Sequence, residues 1–139
     1  NGMLEAGGAW VGIEQLTLER VLGGLLQPLA WALGIPWDEA QLAGSLIGQK
    51  FILNEFVAYV SYSEVAGQLS PHAQAIVIFA LCGFANLSSI AILLGGLGAV
   101  APGRRDDISR YGFRALIAAS LSNLMSAALA GFFLTLGAA

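Results

Sequence analysis

The stretch Gly48-Gln49-Lys50-Phe51-Ile52-Leu53-Asn54-Glu55-Phe56-Val57-Ala58-Tyr59 decides how this chain is to be read. It lies inside a longer apolar segment, Ala40 to about Tyr62, yet carries Gln49, Lys50, Asn54 and Glu55. A central Asp or Lys costs about 2.5–3.5 kcal/mol in a lipid-exposed helix, so residues of this kind face protein or a wet cavity. A second polar run, Gly83-Phe84-Ala85-Asn86-Leu87-Ser88-Ser89, interrupts the apolar stretch His72 to Ala101. Its flanks, Ala73 to Cys82 and Ile90 to Val100, are each about 15 Å long as helix, which puts the polar run near the middle of a bilayer.

The composition agrees with lipid as solvent. Of 139 residues 57% are hydrophobic and 11% charged, against about 25% charged in an average soluble domain. His72 to Ala101 and Tyr111 to Gly137 are each long enough to cross a hydrocarbon core of about 30 Å. In the last helix Ala118, Ser122, Ser126 and Ala130 form a small-residue stripe suited to close packing, with Ser120 and Asn123 as interhelical hydrogen-bond partners. Gly44 and Gly48 make a similar pair.

Leu16 to Ile35 is apolar but carries Glu19, Arg20, Gln27 and Pro28, with Thr17 placed to cap it, a pattern that suits an interfacial helix. Trp31 and Trp37 fit the membrane–water boundary. Asp38 and Glu39 suit a helix N-terminus, and Pro71 the first turn of the helix that follows the loop Glu64 to Ser70. Residues 1–15 are too mixed to assign. The chain begins at Asn1 with no recognisable signal peptide and reads as a fragment. Arg104, Arg105, Arg110 and Arg114 are four of the six basic residues. The positive-inside rule therefore expects the loop 103–110 in the cytoplasm and the C-terminus outside.

Several classes of function are excluded. One His and one Cys make no structural zinc site or disulfide, so Cys82 reads as a small buried hydrophobe and His72 as a solvated boundary residue. No nucleophile, base and orienter set, and no Gly-rich phosphate loop, can be assembled. The chain is therefore expected not to be an enzyme. No basic, aromatic surface points to nucleic acid.

Two polar clusters at membrane depth are what a transporter needs, because discontinuous helices expose backbone and side-chain polar groups to a dehydrated substrate. Glu55 accepts hydroxyl hydrogen bonds, Asn86 both donates and accepts, and Ser89 does either, a set that suits a polyol such as a ribose. The competing readings are an ion pair between Glu55 and Lys50, five residues apart, and interhelical bonding by Asn86, Ser88 and Ser89. No Gly or Pro between Lys50 and Ala66 forces a turn, so Ala40 to Tyr62 fits either a hairpin or a continuous spanning helix.

The Gly48–Tyr59 stretch, followed by Ala80-Leu81-Cys82-Gly83-Phe84-Ala85-Asn86-Leu87-Ser88-Ser89-Ile90, closely resembles the C-terminal signature of the concentrative nucleoside transporters. Gly95-Gly96, Ala101-Pro102 and Arg114-Ala115-Leu116 extend the likeness, which covers roughly Leu16 to Leu136. The resemblance implies an all-α membrane protein, half of an inverted-repeat transporter fold. Its parts would be an interfacial helix (16–35), a re-entrant hairpin (40–66) with Asn54-Glu55-Phe56 at its tip, a broken transmembrane helix (72–100) and a last transmembrane helix (111–137). It implies a homotrimer in the cytoplasmic membrane that imports nucleosides by alternating access. Glu55, Asn86 and Ser89 would bond the ribose and Phe84 would pack beside the substrate, with Asn54, Lys50, Gln49 and Ser88 in support. No covalent cofactor or metal site is expected in this chain. The coupling cation, sodium or proton, would find its ligands in the missing N-terminal half. A membrane-embedded assembly or regulatory module without its own substrate is the competing function, and sequence upstream of Asn1 separates the two.

Overall fold

A computed structural model describes residues 17–137, in which every regular element is a helix. In chain order these are α1 (Leu18–Ala32), α2 (Trp37–Ile52), α3 (Glu55–Val65), α4 (Pro71–Leu81), α5 (Leu87–Val100) and α6 (Arg105–Gly137), with short 3₁₀ turns at Ala66–Gln68 and Pro102–Arg104. Residues 1–15, left unassigned by the sequence, lie outside the described residues, as does Leu16.

The local chemistry explains most helix ends. Thr17 Oγ1 accepts from the Arg20 amide and starts α1. At its end Gly34 adopts φ +102°, the left-handed conformation that lacks a penalty only in glycine. That residue closes a Schellman motif: the Gly34 amide donates to Trp31 O at 2.9 Å and the Ile35 amide to Ala30 O at 3.3 Å. Ile35 and Ala30 are both buried, the apolar contact that accompanies this cap. Pro36 then leads into α2, whose first turn holds Asp38 and Glu39. Glu39 reaches across to α4, where its carboxylate accepts from the amide (2.8 Å) and hydroxyl (3.0 Å) of Ser70, the residue that caps that helix.

α1 and α2 pack closely because glycines remove the side chains between them. A Cβ at Gly44 would come within 2.9 Å of the Leu26 carbonyl carbon, and one at Gly48 within 2.7 Å of Leu22 Cβ. The core is built on α2 and α4, from Ala40, Ala43, Leu46, Ile47, Ala73, Ile76, Val77, Ala80 and Leu81, and is closed by Leu124 and Ala127 of α6.

The continuous-helix reading of Ala40–Tyr62 is not what forms: the helix stops at Ile52 and restarts at Glu55. Ser61 Oγ donates to Gln49 Oε1 at 2.8 Å, whereas in one unbroken helix these residues would be about 18 Å apart. The chain therefore folds back at Leu53-Asn54. The second apolar segment is broken too, between Leu81 and Leu87.

One expectation needs correction. The basic segment 103–110 is not a loop: a 3₁₀ turn covers Pro102–Arg104 and α6 starts at Arg105, six residues before Tyr111. Asp106 and Asp107 suit that helix start, and Arg104 pairs with Asp107 at 3.1 Å. Within this chain Ala118, Ser122 and Ser126 of the small stripe are exposed and Ala130 is half-buried. The packed face is Gly112, Leu124, Ala127 and Gly131, where large neighbours such as Ile90 and Ile76 fill the space a side chain would take. Pro102–Gly137 is, among the described residues, the single stretch of helix long and apolar enough to cross a membrane.

Alanine at Gly44 would press a methyl group on backbone atoms of α1 that cannot swing away. Overpacking of about 1–3 kcal/mol outweighs a gain of about 1 kcal/mol in helix propensity. G44A should thus lower the thermal midpoint of the full-length protein in detergent by a few degrees, measurable by fluorescence-detected unfolding, and G44V should lower it further.

Candidate functional site

The two helix breaks meet. Each restarts on an asparagine: Asn54 Oδ1 accepts from the Val57 amide at 2.9 Å to begin α3, and Asn86 Oδ1 accepts from the Ser89 amide at 2.9 Å to begin α5. A helix start leaves backbone amides without intrahelical partners, and an Asn N-cap satisfies one of them. Where water is scarce this matters more than at a protein surface.

The two starts are joined by their side chains. Asn86 Nδ2 donates to Glu55 Oε2 at 3.3 Å and to Phe84 O at 3.3 Å, while Ser89 Oγ donates to Phe84 O at 2.7 Å and lies 3.1 Å from Asn86 Oδ1. Ser88 Oγ donates across to Leu53 O at 3.4 Å, one of the carbonyls that ends α2. Asn86 is 5% exposed and both its amide hydrogens are engaged. The capacity left over is therefore acceptor capacity: one Glu55 carboxylate oxygen takes the Asn86 bond, whereas an ionised carboxylate offers roughly four acceptor positions. A carboxylate at two helix N-termini also sits where the backbone dipoles favour negative charge. The free acceptor positions have the chemistry to receive hydroxyl donors. Phe84 stands beside it, 75% exposed, as an apolar surface next to the polar cluster.

The structure thus gathers Glu55, Asn86, Ser89, Ser88, Asn54 and Phe84 around the two breaks. Gln49 and Lys50 point elsewhere. Gln49 donates to Ser45 Oγ within α2 and accepts from Ser61 Oγ across the hairpin. Lys50 donates to Asn123 Oδ1 on α6 at 3.0 Å, so the ion pair with Glu55 that the sequence allowed is not made. Asn123 is interhelical, as its place in the sequence suggested, and its Nδ2 donates to Phe79 O at 3.0 Å. Tyr59, which the sequence reading did not single out, donates to Ile78 O at 2.9 Å, with Cys82 Sγ 3.1 Å from its hydroxyl. Cys82 is exposed at the break and not buried as expected.

Residues 1–131 match the profile described as the Na+ dependent nucleoside transporter C-terminus. The chain belongs to this transporter family. The nucleoside permease NupC of Helicobacter pylori is 50% identical over 131 residues, covering 91% of this chain and 31% of its own length. The sodium/nucleoside cotransporter 1 of Rattus norvegicus is 38% identical over 146 residues, 94% of this chain and 22% of that protein. The chain thus spans about a third or less of the curated relatives it matches. Among solved structures, CNTnw in an inward-facing substrate-bound state is 55% identical with a TM-score of 0.93, over 100% of this chain and 35% of that one. A CNTnw variant in an outward-facing state gives 0.92 at 53% identity, over 99% and 34%. Membership of a transporter family, and helices shared with those structures, agree with a non-enzymatic membrane protein.

Because both half-helices of this transporter segment restart on an asparagine cap, Asn54→Ala and Asn86→Ala should each destabilise the full-length protein by about 1 kcal/mol. Asn54→Asp and Asn54→Ser should recover most of that loss. Thermal unfolding of the purified transporter measures both effects, and equal midpoints for Asn54→Ala and the parent would remove the capping role.

Proposed function

We propose that the full-length protein imports nucleosides across the cytoplasmic membrane, driven by a sodium or proton gradient, and that this chain supplies the ribose-binding half of the site. The observation that carries the proposal is the convergence of Glu55 and Asn86 at 3.3 Å, one at the start of each broken helix. Glu55 accepts from the ribose hydroxyls, Ser89 and Asn86 hold its orientation and add polar contacts, and Phe84 packs beside the substrate. Asn54 and Ser88 support the breaks, while Gln49 and Lys50 act within the protein and not on the sugar. The hairpin α2–α3 is re-entrant in this reading, and α4–α5 is a transmembrane helix unwound at the substrate.

The relatives named as nucleoside permease and sodium/nucleoside cotransporter support the substrate class, and the inward- and outward-facing states of CNTnw support alternating access. By the same kinship the transporter is a homotrimer in the lipid bilayer. The basic start of α6 lies in the cytoplasm and the C-terminus outside. The ligands of the coupling cation and the groups that read the base lie in the N-terminal part of the protein, as does the other half of the inverted repeat.

Replacing Glu55 by Gln keeps the size of the side chain but removes its charge and turns one acceptor into a donor. Hydrogen bonds to a charged group contribute about 1.5–3 kcal/mol, so uridine affinity should fall roughly 10- to 100-fold. Tritiated uridine uptake by E55Q in proteoliposomes, with assembly checked by size exclusion, tests this. Uptake at the parental level would remove Glu55 from the site.

A further inference from the structure

Lys50 is the largest wholly buried side chain among the described residues, at 0% exposure. A lysine is almost never in that position unless paired, and an ammonium taken out of water carries a large desolvation penalty. Its direct contacts here are neutral, and the Glu55 carboxylate acts on it only through space. Nζ donates to Asn123 Oδ1 at 3.0 Å and lies 4.6 Å from the ring centre of Phe51. For packing alone an apolar side chain would serve better, so the retained charge needs a use.

The surroundings point to one. Lys50 lies in the last turn of α2, where the partial negative charge of the helix C-terminus favours a cation. Asn123 relays the contact onward: its Nδ2 donates to Phe79 O, one of the terminal carbonyls of α4. The Asn123 side chain also fills the space beside Gly83, where a Cβ would sit 2.6 Å from its Cγ. One ammonium and one amide thus connect the ends of α2 and α4 through α6. Glu55 and the two asparagine caps occupy the matching starts of α3 and α5. The cation serves the two helix C-termini and the carboxylate serves the two N-termini, just across each break.

We propose that Lys50, Asn123 and the bare backbone at Gly83 form a latch that fixes the hairpin turn against the broken helix, making Lys50 a positioning residue that sets Glu55 on Asn86 and so tunes recognition of the substrate's hydroxyls. The latch acts through Glu55 and touches no substrate. It rests on the ribose reading above, and its test separates the two.

The test compares binding of uridine and of 2′,3′-dideoxyuridine, which lacks the 2′- and 3′-hydroxyls and keeps the 5′-hydroxyl, to the purified full-length transporter and its variants. The parent should prefer uridine by about tenfold or more. E55Q should abolish most of that preference; a parent without preference, or an E55Q that keeps it, overturns the ribose reading and the latch with it. K50M should reduce the preference to within about threefold while still binding the dideoxy analogue. A variant that is merely less stable would lose both ligands in proportion and keep the ratio. N123S removes the acceptor of Lys50 while leaving room for a water molecule, so it stands in if K50M does not fold, and it should shift the ratio in the same direction. The double variant K50M/N123S should be no worse than N123S alone, because N123S already breaks the contact that K50M removes. If E55Q loses the preference while K50M or N123S keeps the parental ratio, the latch is overturned and the ribose reading stands.

Discussion

The hydrogen bond from Asn86 to Glu55 joins two helix starts, and the rest of the structure is arranged so that it can form. A helix that begins inside an apolar medium exposes amides that water cannot reach, and each must find a partner within the protein. Here each start has an asparagine cap, and the second cap spends its remaining hydrogens on the carboxylate of the first helix and on the backbone of its own break. The caps leave the Glu55 carboxylate with unused acceptor positions, which is the chemical basis for reading the site as a receptor for hydroxyl groups.

Keeping two interrupted helices in register requires a third element that is not interrupted. α6 has that role. Its 33 residues run antiparallel along both halves of the broken helix: Gly131 lies on Ile76, Asn123 on Gly83, Gly112 on Ile90, and Arg105 on Gly98. All four of these contacts bring a glycine from one side or the other against a side chain, which lets the backbones approach closely. The hairpin is held from its other side by α1, through Gly44 and Gly48, and at its base by Glu39 on Ser70. The two interrupted helices are therefore held by α6, by α1 and by the Glu39–Ser70 contact.

The sequence was most legible where a local rule applies. Thr17, Pro36 with Asp38 and Glu39, and Pro71 mark helix starts at about the positions observed, because caps and first-turn residues act within a few positions of themselves. It was less legible where tertiary packing decides. Ala118, Ser122 and Ser126 keep perfect four-residue spacing yet are exposed, since spacing says which residues share a face and not which face is covered. Clustered arginines suggested a loop, although arginine is a good helix former and Asp106 and Asp107 suit a helix start.

By itself the sequence determined that the solvent is lipid, that two apolar segments carry polar interruptions, and that Glu55, Asn86 and Ser89 have the donors and acceptors for a sugar. These are properties of composition and residue chemistry, which need no coordinates. The tertiary structure alone decided that the Gly48–Tyr59 stretch folds back, and that Lys50 turns to Asn123 and leaves Glu55 to Asn86. No Gly or Pro signals that turn. It forms because Asn54 caps a new helix and the buried contacts of both arms, such as Ser61 on Gln49, offset the hydrogen bonds lost at the break. Partners 31 and 73 positions apart are set by packing, and packing is a property of the whole fold.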